Sequence, residues 1–468
     1  MEALRLRAEG LPAGEPKPFL EALSDPDPVM RCVAAWGLGR WRDSRGRSAL
    51  EAALTDPDPR VRALSADALG ALEPPGSIAA LSAALTDPDE RVRTQAAAAL
   101  GTVGDPGTVP ALLGLIDDPC PAVRRATARG LGRRATGGAP EGLLRLATDP
   151  DPHVRREAIL GLGGCPEERS APGIRAGLDD PSGRVRVAAA IVLGQRADRD
   201  AVSALIRRLG EDTSFVRPAV LVALGRIGDP VALGPILEHA AREPSWTRVC
   251  AVRALASFGG YPAAIAAARA ALADPAWSVR GAGAETVGRI GAPSDLTSLR
   301  ALLEDPHPWP RRGALYALGR LGLFEAAPRI REELLHPSAD VRLAAIWALG
   351  RLRDDGAAES LAALLRSMPN GVARARRAVD DEVPPRDPDA EERQFDALVQ
   401  ALGRLAESTQ DPALLRTLLE ARARVGEEGC ERDARLPPPE RDWPETIPSL
   451  RRLFETALLG ATEEEGEL

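Results

Sequence analysis

Asp56-Pro57-Asp58-Pro59-Arg60-Val61-Arg62, continued through Ala63 to Leu72, is one copy of a motif that the chain writes out again and again. The Asp-Pro pair that opens it falls at Asp25, Asp56, Asp87, Asp118, Asp149 and Asp180, each 31 residues after the one before. The series continues as Glu211, a blurred copy at Glu243-Pro244 with one extra residue, then Asp274, Asp305 and His336, which makes eleven regular units. Self-similarity at an interval of this size signals stacked repeats, each touching only its neighbours.

Six positions after each opening residue stands an arginine, among them Arg31, Arg62, Arg93, Arg124, Arg155, Arg186, Arg280 and Arg311. Seven positions further on comes an apolar residue, usually leucine (Leu38, Leu69, Leu100, Leu131), and usually a glycine follows, which reads as the end of a helix. Each unit therefore reads as two helices. The first carries an apolar face, as Ile78, Leu81 and Leu85 or Val109, Leu112 and Ile116. Asp-Pro makes the turn, because proline fixes φ and aspartate accepts hydrogen bonds from the open amides of the next helix. The second helix runs from about Pro59 to Leu72, and small residues such as Ala96, Ala97 and Ala99 let neighbours approach closely. Such a pair cannot bury its apolar face alone, so the fold is all-α, an α-solenoid of stacked two-helix units.

Composition agrees. Aromatics are 3% while hydrophobic residues total 44%, so the core is built of Ala, Leu and Val, which suits thin helical layers. The net charge is −8 and Lys17 is the only lysine, so the positive charge is nearly all guanidinium. Five scattered cysteines without a Cys-x-x-Cys point to a reduced, cytoplasmic setting. No run approaches the roughly 20 apolar residues of a membrane span, and residues 1–18 hold no apolar leader segment.

Along the chain, residues 1–14 read as an N-terminal cap or frayed end, and residues 15–355 as the regular array. Residues 356–425 hold an irregular twelfth unit, whose second helix at Ala397 to Gly403 arrives 22 residues late because of a charged insertion near 368–393. Residues 426–442 form a Pro-rich linker, and residues 443–468 a last helix with an acidic tail.

The order apolar helix, Asp-Pro-x-x-x-Val-Arg turn, Ala-Ala-x-Ala-Leu-Gly helix resembles the HEAT repeat, in the bacterial HEAT-like form also found in phycobilin lyase subunits. Arg93 with Ala97, Ala99, Leu100 and Gly101 carries the pattern. The resemblance implies a right-handed superhelix whose second helices line the concave side. It also implies a structural ladder between units, built from Asp56, Arg62, Asp87, Arg93, Asp118, Arg124, Asp149 and Arg155.

A helix turns about 100° per residue, so on the second helix positions 5, 9, 13 and 16 after the aspartate face the core, and positions 4, 7, 11 and 15 face away. These outward columns are where the copies differ most. In the fourth and fifth units they read Arg125, Arg129, Arg133 and Arg156, with Arg60 and Arg91 before them. In the sixth to eighth they read Val187, Ile191, Phe215, Pro218, Val222, Trp246 and Val249, an apolar docking zone. The tenth and eleventh carry Trp309, Arg312, Tyr316 and Arg320, then Leu343, Trp347 and Arg351, the residue types that dominate interface hot spots.

No phosphate-binding loop, dinucleotide fingerprint, nucleophile elbow or metal-spaced Cys/His cluster appears. Deoxyhypusine hydroxylase has HEAT-like repeats that bind iron through His-Glu pairs, but none of His153, His239, His307 and His336 precedes a glutamate. No catalytic residue, metal or cofactor is expected. The leading expectation is a non-enzymatic scaffold or adaptor that grips a protein or peptide partner, one bearing acidic residues, along the concave face. The alternatives are nucleic-acid binding through the Arg125, Arg129, Arg133 and Arg156 patch, or a phycobilin lyase-like role in protein modification. HEAT-like DNA glycosylases hold DNA on a basic concave face, but the overall acidity here opposes that reading.

Overall fold

The computed structural model describes residues 17–367, apart from residues 43, 73–74, 104, 106, 134–136 and 213–214, together with Ala401. The expectations for residues 1–14, the 368–393 insertion, the Pro-rich linker and the C-terminal helix lie outside the described residues. All regular structure among the described residues is helical. The chain forms two compact units, Met1–Ile227 and Gly228–Leu468.

The repeat is a short first helix, a turn at the Asp-Pro, and a longer second helix. Arg47–Ala53 precedes Pro59–Leu72, Ile78–Ala84 precedes Glu90–Thr102, and Thr108–Leu113 precedes Pro121–Gly132. Some first helices are finished by one tighter turn, as Leu302–Glu304 after Leu296–Ala301 and Glu333–Leu335 after Ala327–Glu332.

The second helices form the spine, each packed on the next, as Pro59–Leu72 on Glu90–Thr102 and Glu90–Thr102 on Pro121–Gly132. The valine before the arginine is sealed from solvent at Val61, Val92, Val123, Val154 and Val185, and so is the leucine of Leu-Gly at Leu69, Leu100, Leu131, Leu162 and Leu193. Each such side chain contributes roughly 1.5–3 kcal/mol on burial.

Two details differ from the sequence reading. The glycine of Leu-Gly ends the helix in some repeats, as Gly132 closes Pro121–Gly132 and Gly163 caps Pro152–Leu162, but not in others: Gly70 lies within Pro59–Leu72 and Gly101 within Glu90–Thr102. Its role is close approach. A Cβ on Gly70 would stand 2.9 Å from the Ala99 Cα of the next second helix, and one on Gly101 2.6 Å from the Gly130 Cα. The same contact joins Gly288 to Ala317 and Gly319 to Ala348. The amide-capping role also shifts by two residues. Asp58 and Asp89 cap the helices through the amides of Arg60 and Arg91, while the opening Asp56 and Asp87 accept the amides of Asp58 and Asp89.

That leaves the opening aspartate free for the neighbouring repeat. Arg62 donates from Nε and Nη2 to the Asp87 carboxylate at 2.7 and 2.9 Å, and from Nη1 to the Asp56 carbonyl at 2.8 Å. The same clamp recurs as Arg31 on Asp56, Arg93 on Asp118, Arg124 on Asp149, Arg155 on Asp180 and, in the second unit of the chain, Arg280 on Asp305. Where the motif blurs, the partner moves. Arg186 takes Asp212 rather than Glu211, and Arg311, facing a repeat opened by His336, takes Glu333.

Candidate functional site

Residues that face away from the core come together on four consecutive second helices: Ser245–Ala254, Trp277–Ile290, Pro308–Arg320 and Ala339–Leu352. At the centre lies Glu285, its side chain 8% exposed. Its Oε2 accepts from Arg253 Nε and Nη2 at 3.1 and 2.7 Å, and its Oε1 accepts from Trp309 Nε1 at 3.3 Å. Arg312 Nη2 stands 3.5 Å from that same Oε1. The Arg253 and Arg312 guanidinium groups lie 5.7 and 5.4 Å from the Trp309 ring centroid, within cation–π range. Trp309 finds room because position 281 is glycine: a Cβ there would lie 2.8 Å from its Cδ1. Trp277 extends the aromatic surface, stacked on His307 at 3.8 Å and tilted against Trp309 at 5.2 Å.

Beside this network, Tyr316 meets Trp347 edge-on with ring centroids 5.2 Å apart. Glu285, Gly288, Arg289, Tyr316, Ala317, Arg320 and Trp347 line a small, open cleft of about 30 Å³. Gly288 and Ala317 pack backbone to backbone, which brings the aromatic pair and the two arginines to one place. Burial pushes the Tyr316 phenol above its ordinary value, so it stays protonated across the physiological range. Arg289, Arg320 and Arg351 are exposed and occupy the same position of three successive second helices.

Of the residues expected here, the structure brings Trp309, Arg312, Tyr316, Arg320 and Trp347 together, with Arg351 on the next helix. Sequence reasoning missed Glu285, Arg253 and Arg289, although all three stand in the outward columns, and it missed Trp277 and His307 beside the turns. A carboxylate in a column of arginines and aromatics was the available signal.

The other outward residues fare differently. In the basic patch, Arg125, Arg129 and Arg133 are exposed and Arg156 is half-buried. Glu157, itself buried, takes Arg129 at 3.3 Å and Arg156 at 2.8 Å. Arg60 and Arg91 fold back on the capping Asp58 and Asp89. In the apolar zone Phe215 is exposed, while Ile191, Val222 and Trp246 are half-buried. Val187, Pro218 and Val249 do not face solvent at all. Val249 packs into a buried cluster with Val279 and Ala282 of the next second helix, because position 7 points at the neighbouring repeat as much as outward.

Among the described residues no group of three or more His, Cys, Asp or Glu is placed to hold a metal ion, and no helix is long and apolar enough to cross a membrane.

The profile of HEAT repeats matches residues 16–101, 53–119, 78–163, 109–182, 171–249, 235–319 and 298–379. The chain belongs to the HEAT-repeat family. No curated protein matches the sequence. Among solved structures, yeast importin-beta (Kap95p) is similar with a TM-score of 0.62 at 13% identity, over 89% of this HEAT chain and 67% of that one. The Kap95:Nup1 complex gives 0.58 at 14% identity, over 90% and 68%. Kap95p with RanGDP gives 0.57 at 13% identity, over 87% of this chain and 65% of that one, so the chain spans about two thirds of these structures' length. At such identities the likeness speaks for the solenoid fold alone. The CpcE and CpcF phycocyanin lyase complex from Nostoc sp. PCC7120 is similar at 24% identity over 54% of this chain and 97% of that one, but its TM-score of 0.35 carries no argument.

Proposed function

We infer that this HEAT-repeat solenoid is a non-enzymatic scaffold or adaptor whose second-helix face binds a protein partner, and that the Tyr316–Trp347 cleft is where the partner docks. The observation that carries the reading is the cleft itself: two aromatic side chains in edge-on contact, flanked by the exposed Arg289 and Arg320. Aromatic and arginine side chains that are held in place lose little entropy on binding and dominate interface energetics. The surrounding guanidinium groups favour an acidic partner, and they raise its association rate at low salt. The structurally similar importin-beta chains are found with Ran and Nup1, which supports protein binding as the use of this fold. The nucleic-acid alternative is less favoured, because arginines of this region are already engaged by carboxylates of the protein: Arg129 and Arg156 share Glu157, Arg60 pairs with Asp58 and Arg91 with Asp89. A reduced, cytoplasmic setting is supported by Cys32, Cys120, Cys165 and Cys250, all free thiols.

The test is recovery of partners from host-cell lysate with native protein and with the Arg320→Glu/Arg351→Glu variant. Both residues are exposed, so the variant folds, which circular dichroism checks. A partner held by the native protein and lost by the variant supports the site. Identical partners at identical yield would place binding elsewhere.

A further inference from the structure

The eleventh repeat opens with His336, where all ten repeats before it open with aspartate or glutamate. An opening aspartate does two things elsewhere in the array. It accepts the backbone amide two residues on, which closes the turn, as Asp118 does from Cys120 at 2.8 Å, Asp274 from Ala276 at 2.8 Å and Asp305 from His307 at 2.9 Å. It also takes the arginine of the repeat before, as Asp305 takes Arg280. His336 keeps the first task and drops the second. Its Nδ1 accepts the Ser338 amide at 3.0 Å, and Arg311, which would have clamped a carboxylate there, pairs with Glu333 at 3.1 Å.

An imidazole holds that amide in one charge state only. Neutral, Nδ1 offers a lone pair; protonated, it carries a hydrogen and meets the N–H donor against donor. Carboxylates stay acceptors throughout the range, roughly pH 5 to 8, in which histidine ordinarily changes charge. The contribution of the Ser338 bond is therefore present at higher pH and lost as pH falls through the histidine range. Among the described residues, the charged groups around this turn are Arg311 from Pro308–Arg320, Arg329 and Glu333 from the first-helix side, and Asp340 and Arg342 on the helix that follows. Glu333 already accepts from both Arg311 and Arg329, at 3.1 and 2.7 Å, Arg342 donates to the His336 carbonyl at 2.9 Å, and Asp340 is exposed. None of these supplies an acceptor in place of Nδ1.

His307 provides the contrast. It too accepts an amide through Nδ1, from Trp309 at 3.3 Å. Its ring also lies flat on Trp277 with centroids 3.8 Å apart, and a cation keeps that stacking. Protonation therefore leaves His307 anchored.

The turn at His336 leads directly into Ala339–Leu352, the helix that brings Trp347 against Tyr316. Resting on the reading of the cleft as the docking site, we propose that His336 makes that site pH-sensitive: its neutral ring closes the turn before Ala339–Leu352, and its protonation opens the turn and weakens docking. A partner that needs Trp347 in place binds the closed turn more tightly, so its affinity follows the closed population.

The experiment is hydrogen exchange of the full chain, read by mass spectrometry at about pH 7.5 and about pH 5.5 and corrected for the intrinsic pH dependence of exchange. The amides of residues 338–343 are compared with those of residues 276–281, which follow the Asp274 turn. We expect opening at 338–343 to rise about fivefold at the lower pH, the factor that one helix cap contributes, with no such rise at 276–281. His336→Asn, which accepts the amide without titrating, should remove the rise. His336→Asp, which restores the residue type of the other repeats and offers Arg311 its usual partner, should do the same, so the proposal is testable even if one variant fails to fold. An equal rise at both turns, or a rise that persists in either folded variant, would overturn the switch. Partner recovery at the two pH values then reads the link to docking: recovery that falls at about pH 5.5 in native protein but not in His336→Asp supports it, and recovery unchanged while the turn opens would overturn it. The docking site itself is judged separately, by the Arg320→Glu/Arg351→Glu variant at about pH 7.5.

Discussion

Arg62 holds Asp87 of the next repeat with hydrogen bonds of 2.7 and 2.9 Å while gripping the Asp56 carbonyl of its own. One side chain thereby fixes both the turn it springs from and the neighbour stacked on it. With side chains 14% and 9% exposed, the pair is largely dehydrated. Arg62→Ala strips the carboxylate of its partner, and we expect a loss of about 3 kcal/mol, the lower end for breaking a buried pair. Replacing both residues should cost less than the sum of the two single changes. Urea unfolding of the four proteins measures this, and strict additivity would mean that the clamp is energetically idle.

The ladder also sets the response to acid. Burial alone would push the Asp87 carboxyl up, but the Arg62 guanidinium and the Asp89 amide outweigh it and hold the group below its ordinary value; Asp56, Asp118 and Asp305 are held down in the same way. The hydrogen bond from Arg60 holds half-buried Asp58 at about 2 against an ordinary 3.8. A carboxyl with a lowered folded value stabilises above the ordinary carboxylate value, and that contribution is lost as pH falls through the folded one. The urea midpoint should therefore fall steadily as pH drops below about 4. A midpoint that holds steady from about pH 5 down to about pH 2.5 would contradict the ladder.

The helix-contact glycines separate two opposed effects of one substitution. Gly101→Ala gains up to about 1 kcal/mol of helix propensity, but its methyl would fall 2.6 Å from the Gly130 backbone, which cannot move aside cheaply. A net loss of about 1–2 kcal/mol is expected. Gly210 lies in the helix Val202–Glu211, and a methyl added there would meet no atom within 4 Å, so Gly210→Ala should stabilise by up to about 1 kcal/mol. Thermal melts of the two variants should move in opposite directions.

Glu285 is the joint of the aromatic network. Glu285→Ala would leave Arg253 and Arg312, each 19% exposed, without their shared carboxylate, at a cost of about 3 kcal/mol or somewhat less. Trp309 loses its indole partner too, so intrinsic fluorescence should shift together with the melting temperature. A lower melting temperature with unchanged tryptophan emission would argue against the bond to Trp309.

Burial pushes the Cys250 thiol up to about 12, which leaves almost no thiolate at neutral pH. Cys120 is half-buried at the start of the helix Pro121–Gly132. Iodoacetamide should modify Cys120 well before Cys250 in native protein, as peptide mass spectrometry would read. Equal rates would show that the core around Cys250 opens readily.

Periodicity alone determined the solenoid: the 31-residue recurrence of Asp-Pro, Val-Arg and Leu-Gly places two helices per unit and marks the buried valine and leucine, because burial within one helix depends on local spacing. The second helix at Pro59–Leu72 was legible to the residue. What lay beyond one unit was decided by the tertiary structure. Leu-Gly looks like a helix end until Gly101 is seen against Gly130, since a close approach between backbones leaves the same letter as a left-handed cap. Val187 and Val249 look outward-facing on an isolated helix and become buried only when the next repeat covers them. Glu285 joined the candidate site for the same reason: its partners Arg253, Trp309 and Arg312 are 24 to 32 residues away, and no spacing within a helix encodes a contact that stacking alone creates.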